Sequence, residues 1–207
     1  MTLRAKEFNI RRYIMNLANK LTLLRVILVP VFIAFMMIDS FVTNIIGLIV
    51  FIIASLTDMI DGKIARKRNM VTTFGKFSDP LADKMLTTAA FLVFMDKGYI
   101  IGGVWAIFII LVREFAVSGI RLAAAAEGEV IAASFWGKFK TVTQMLSIII
   151  GIILMCLSFI PHSISVIITT VLVWICVLFT IISGVEYIAK NRKLMKLKKE
   201  RHKKWKI

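Results

Sequence analysis

The chain has 207 residues, of which 59% are hydrophobic, and a mean hydropathy of +0.85; a soluble domain carries about 45–50% apolar residues. An ordinary soluble domain is therefore excluded, and the bilayer is the solvent to reason with. Twenty-seven Lys and Arg against 12 Asp and Glu give a net charge of +15, but its placement argues against nucleic acid as the partner.

In chain order, residues 1–21 come first. Arg4, Lys6, Glu7, Arg11 and Arg12 are mixed there with apolar residues, so the stretch does not read as a cleavable signal. Ile10, Tyr13, Ile14, Leu17 and Leu21 recur at i, i+3, i+4, i+7 and i+11, which predicts an amphipathic helix lying in the interface with a basic polar face. Apolar runs follow at residues 23–38, 42–61, 81–95, 100–126, 135–159 and 164–189. A crossing helix needs about 20 residues. The first and third runs are short, and Asn19, Thr22 and Arg25, then Asp79 and Asp83, extend them as polar flanks that face protein.

Backbone polar groups must be satisfied within the segment in lipid. The expected fold is thus all-α, an integral membrane bundle of six transmembrane helices over residues 22–189. No internal repeat divides it. The tail, residues 190–207, holds ten Lys and Arg against Glu200, so +9 of the +15 sits after the last apolar run. It reads as a cytoplasmic anchor to anionic lipid, each cation contributing about 1 kcal/mol, with Trp205 as an interfacial aromatic. RNA binding by the tail is the weaker reading. Cys156 and Cys176 lie in apolar runs without metal-ligand spacing and read as buried thiols.

Orientation follows from the connections. Lys63, Arg66, Lys67, Arg68 and Lys76 crowd the link between helices 2 and 3, and Arg121, Lys138 and Lys140 stand near the 4–5 link. The intervening links carry only Lys97. Both termini are expected in the cytoplasm of a multi-pass cell-membrane protein.

The chemistry gathers at that face. Asp58, Asp61, Gly62 and Ala65 fall at i, i+3, i+4 and i+7, one helical stripe alternating acids with small residues. Asp79 and Asp83 are spaced i, i+4 on the next helix, with Ser78 expected to cap its start. Four carboxylates at a membrane edge repel one another unless cations neutralise them. Oxygen-only ligation suits a hard ion such as Mg²⁺, Mn²⁺ or Ca²⁺. The blander alternative pairs these acids with Lys63, Arg66 and Lys84 as structural salt bridges.

Asp58-x2-Asp61-Gly62-x2-Ala65-Arg66-x8-Gly75-x3-Asp79-x3-Asp83 resembles the full signature of the CDP-alcohol phosphotransferases, membrane enzymes of phospholipid synthesis. The resemblance implies that an alcohol attacks the phosphorus bearing the lipid and CMP leaves. By that analogy Asp58, Asp61, Asp79 and Asp83 hold Mg²⁺ or Mn²⁺. Asp83 is also the general base, and Gly62, Ala65, Arg66, Thr72 and Gly75 line the CDP-lipid site. A homodimer is implied as well.

Three further stretches are similar to the branch of the family whose acceptor is glycerol 3-phosphate: Arg113-Glu114-Phe115-Ala116-Val117-Ser118-Gly119-Ile120-Arg121 with Gly137-Lys138-Phe139-Lys140-Thr141, Asn19-x2-Thr22-x2-Arg25, and Ser183-Gly184-Val185-Glu186-Tyr187. They imply transfer of a phosphatidyl group from CDP-diacylglycerol to sn-glycerol 3-phosphate, giving phosphatidylglycerol phosphate and CMP. Independently, Arg113, Arg121, Lys138 and Lys140 put excess cations beside the carboxylates, which suits a phosphate-bearing acceptor. The bland reading pairs Arg113 with Glu114 or an Asp and lets the lysines snorkel. Serine or inositol phosphate as acceptor stays open. A cation-coupled transporter fits less well, since transporter sites usually sit near the midplane between repeated halves.

Overall fold

The computed structural model describes residues 17–38, 40–67, 73–126 and 134–204, with side chains described for 23–38, 40–57, 84–125 and 134–191. Among the described residues the chain is all-helical. The helices are α1 (Leu17–Met37), α2 (Phe41–Lys67), α3 (Thr73–Asp96), α4 (Gly103–Ala126), α5 (Phe135–Cys156) and α6 (His162–Lys204). The interfacial helix expected over residues 1–21 lies outside the described residues up to Asn16, and Leu17 already opens α1.

Among the described residues, three helices are long and apolar enough to cross a membrane: α4 over Gly103–Ala125, α5 over Phe135–Cys156 and α6 over His162–Asn191. Shorter apolar stretches occupy Leu23–Met37 of α1 and Phe41–Thr57 of α2. The crossing windows of α4, α5 and α6 are only 28%, 44% and 33% buried within the protein. Their outward faces carry Trp105, Phe108, Phe115, Phe135, Val171 and Leu178. So much apolar surface belongs against acyl chains rather than water.

Helix ends differ from those read off the sequence. α3 begins at Thr73, so Ser78 lies inside the helix rather than capping its start. α6 continues without a break through the basic tail to Lys204, because Lys, Arg, Leu and Met are all good helix formers. The α5 start is capped by Ser134, which has extended backbone (φ −73°, ψ 159°) and whose hydroxyl accepts from the Gly137 N–H at 3.1 Å.

α3 is the central helix, packed against α1, α2, α4 and α5, while α6 packs on α4 and α5. Phe32 and Met36 of α1, Phe51 of α2, Phe91 and Phe94 of α3, and Ile148 and Ile152 of α5 form the core. With little hydrophobic drive between helices in lipid, close van der Waals fit holds them together. Gly151 shows the mechanism: a Cβ there would stand 2.5 Å from Phe94 Cζ, so α5 approaches α3 only because the position has no side chain. Cys156 and Cys176 are both buried free thiols.

Candidate functional site

The signature residues fall on consecutive helix ends. Asp58, Asp61, Gly62, Ala65 and Arg66 belong to the C-terminal turns of α2, and Gly75, Asp79 and Asp83 to the N-terminal turns of α3. Their side chains lie outside the described residues, as does Thr72 altogether. Among the described residues, no three His, Cys, Asp or Glu side chains come together to hold a metal. What remains to test a metal against is the donor chemistry of the four Asp. All are carboxylates, an oxygen-only set that fits a hard divalent ion.

The described part of the site lies one turn further along. Glu114 on α4 is the shared partner of three cations from three helices. Lys140 of α5 meets its Oε1, Lys84 of α3 approaches its Oε2 at 3.5 Å, and Arg113 of α4 approaches the same oxygen at 3.8 Å. Lys84 Nζ also donates to the Glu114 carbonyl oxygen at 2.9 Å and to the Ser118 hydroxyl. Lys140 is 2% exposed, so it does not snorkel to the interface. Lys138, two residues earlier, is exposed.

Arg113 is threaded between two glycines. Its Nη2 donates to the Ser183 hydroxyl on α6. A Cβ on Gly184 would stand 3.1 Å from Arg113 Cγ, and one on Gly137 3.8 Å from Nη2. The small residues flanking Ser183 and Lys138 thus make the slot through which a long cation crosses from α4 toward α6. Eight residues on, the Arg121 guanidinium lies over the Tyr187 ring, 5.5 Å from its centroid. Ser183 and Tyr187 are spaced i, i+4, so one face of α6 receives both arginines. Beyond them, Glu186 accepts from Lys190 at 2.7 Å.

Four polar atoms in this group are buried without a hydrogen-bond partner among the described residues: the donors Arg113 Nε, Arg121 Nε and the Tyr187 hydroxyl, and the acceptor Glu186 Oε2. Buried donors are ordinarily satisfied, and leaving one unmade costs about 1–3 kcal/mol. Arg25, from the motif at the head of α1, is also buried inside the bundle.

Of the expected acceptor residues, the structure brings Arg113 and Lys140 onto one carboxylate, sets Arg121 on Tyr187 and leaves Lys138 on the surface. Sequence reading missed Glu114 as the hub and Tyr187 as the seat of Arg121. The signal for Glu114 was present: it is a carboxylate inside an apolar stretch, next to an arginine.

The model of the CDP-alcohol phosphatidyltransferase family matches residues 15–183, which takes in α1 through α5 and most of the crossing part of α6. The chain belongs to that family. It is 41% identical over 194 residues to the CDP-diacylglycerol–glycerol-3-phosphate 3-phosphatidyltransferase of Bacillus subtilis, covering 87% of this chain and 97% of that one. With the protein of the same name from Rickettsia typhi it shares 37% identity over 180 residues, covering 83% and 94%. Similarity thus runs through almost the whole length of these relatives, and the family assignment covers the carboxylate signature and the cation cluster together.

Proposed function

We propose that this membrane protein transfers a phosphatidyl group from CDP-diacylglycerol to sn-glycerol 3-phosphate, releasing CMP and forming phosphatidylglycerol phosphate. The observation that carries the choice of acceptor is the pair of buried, unpartnered guanidinium donors on Arg113 and Arg121. Such donors suit an oxygen anion, and a guanidinium engages phosphate oxygens bidentately. The names of the relatives agree with this reading.

In the reaction, the acceptor hydroxyl oxygen forms a bond to the phosphorus that carries diacylglycerol, and the bond from that phosphorus to the CMP oxygen breaks. Asp83 takes the hydroxyl proton as general base. Asp58, Asp61 and Asp79, with Asp83, would hold Mg²⁺ or Mn²⁺, which when bound neutralises charge on the two phosphates and on departing CMP. Gly62, Ala65 and Gly75 leave room for the cytidine diphosphate against backbone, and Arg66 and Thr72 bind its polar groups. Arg113 and Arg121 orient the acceptor through its phosphate. Lys140, fixed on Glu114, adds positive potential behind them.

The reading extends to six crossing helices with both termini in the cytoplasm, and to a homodimer. Under it α1, α2 and α3 cross the bilayer with polar ends turned toward protein. This places the carboxylates at headgroup depth, where a diacyl substrate and a soluble alcohol meet.

The test is CMP release by purified protein in detergent with CDP-diacylglycerol and Mg²⁺, offering glycerol 3-phosphate, serine and inositol phosphate separately. Release with glycerol 3-phosphate alone is the expected result. Release only with another alcohol would keep the carboxylate chemistry and overturn the acceptor assignment.

A further inference from the structure

We infer that the Tyr187 hydroxyl is a third donor to the acceptor's phosphate, completing a cradle with Arg113 and Arg121; the inference rests on the acceptor reading above. Tyr187 is 2% exposed, and its hydroxyl has no hydrogen-bond partner among the described residues. A buried phenol normally finds a partner. The α6 positions one turn away show what a purely structural role looks like here: Ser183 is also buried, but its hydroxyl is taken by Arg113. The hydroxyl of Tyr187 is left over while its ring seats Arg121.

The parallel run of α4 and α6 explains why these groups belong to one site. Both helices leave a link at the same end of the bundle, Gly103 and His162 being their first residues, and both run toward the end that carries Arg121 and Tyr187. Arg113 meets Ser183 near the start of this stretch, and Arg121 meets Tyr187 further along. The unpartnered Nε atoms of the two arginines and the phenol therefore lie on one seam between α4 and α6. A phosphate has enough oxygens to accept from all three, whereas a neutral hydroxyl or an amine offers too few acceptors. Tyrosine adds something a third cation would not: it donates without adding charge to a seam that already holds two guanidinium groups. It thereby favours a phosphate ester over an uncharged alcohol.

Tyr187→Phe tests this with a change of one oxygen that keeps the ring beneath Arg121. The expected result is a rise of about tenfold or more in KM for glycerol 3-phosphate, the loss that follows removal of one hydrogen bond to a charged group. KM for CDP-diacylglycerol should stay within about twofold. Direct titration of glycerol 3-phosphate into the detergent-solubilised protein should show the same weakening in Kd. The melting temperature without substrate should hold or rise, because the variant removes a buried hydroxyl that the empty protein leaves unsatisfied.

An unchanged KM for glycerol 3-phosphate overturns the inference. So does a rise confined to CDP-diacylglycerol, which would assign the hydroxyl to the lipid diphosphate instead. A fall in melting temperature with equal loss toward both substrates also overturns it, as the mark of a structural tyrosine. Wild-type protein that neither binds nor uses glycerol 3-phosphate defeats the acceptor reading and this inference together, while a wild type that uses it beside an unaffected Tyr187→Phe defeats only the inference.

Discussion

At the end of the bundle where α3 turns into α4, the chain is closed by neutral contacts. The link at 97–102 bends through Gly98 (φ 73°) and Gly102 (φ 70°), left-handed conformations that other residues adopt only with strain. The Trp174 indole N–H on α6 donates to the Ile101 carbonyl oxygen at 3.1 Å, the Ile101 N–H donates to Thr170 Oγ1 at 3.0 Å, and Tyr99 meets His162 edge to face at 4.8 Å. At the opposite end, Lys84, Arg113 and Lys140 gather on Glu114, and three donors beside them have no partner. The first end is closed by neutral hydrogen bonds and ring contacts. The other holds charge together and keeps donors for something else, which is how a binding site differs from a hinge or a seam.

The sharpest way to break this contrast is at the carboxylates. Asp83→Asn should lower turnover by about 10²–10⁴-fold, the contribution of a positioned general base, while CDP-diacylglycerol binding partly survives. CMP release in single turnover, read beside lipid binding, checks both. Full turnover would remove Asp83 from the chemistry and leave the charged end without its proposed base.

Glu114→Gln should come next, and it acts on stability as much as on rate. Removing the carboxylate that Lys84, Arg113 and Lys140 share breaks a largely buried ion cluster, and breaking such a cluster costs about 3–5 kcal/mol. Lys140, with 2% of its surface exposed, has the least access to water in exchange. Thermal unfolding in detergent should show the loss, and Glu114→Asp should restore part of it. A melting temperature unmoved by Glu114→Gln would mean that the hub is incidental to the fold of this end.

How far each end was legible follows from what kind of signal it leaves. The carboxylates were readable because Asp58, Asp61, Asp79 and Asp83 stand at helical spacings on consecutive helices, and fixed spacing is a property of sequence alone. The family they indicate is the one whose model matches residues 15–183. Helix existence was equally legible from apolar runs, but helix ends were not. Good helix formers carry α2 to Lys67 and α6 to Lys204 well beyond their apolar cores, where hydropathy gives no stop.

Partner choice was the hardest part. Arg113 and Glu114 are neighbours in sequence, but that Lys84 and Lys140 converge on the same carboxylate depends on three helices packing in one way. Tyr187 lies 66 residues from Arg121 by the numbering, and nothing local tells that one seats the other. The glycines at 137 and 184 were visible as small residues, but not as the walls of a slot for Arg113.

Arg121→Ala sharpens the comparison from the acceptor side. It removes a guanidinium held over the Tyr187 ring with an unpartnered Nε. KM for glycerol 3-phosphate should rise by about tenfold or more, since one charge-assisted contact is worth at least about 1.5 kcal/mol, with a much smaller effect on KM for CDP-diacylglycerol. Steady-state kinetics with each substrate varied in turn decides it. Equal effects on both substrates would count against Arg121 as a phosphate ligand.

The smallest effect is expected at the neutral end. Trp174→Phe keeps most of the ring that packs on Gly102, where a Cβ would stand 3.2 Å from the indole Cζ2, but loses the N–H that satisfies the Ile101 carbonyl oxygen. One net hydrogen bond is worth about 0.5–1.5 kcal/mol, and Ile101 retains its second tie through Thr170. The melting temperature should therefore fall by a few degrees, while kcat and both KM values of the folded protein stay as in the wild type. If KM for glycerol 3-phosphate moved instead, the two ends would be coupled along α6, the helix that carries both Trp174 and Tyr187, and the division between a neutrally closed end and a binding end would have to be replaced by a single coupled unit.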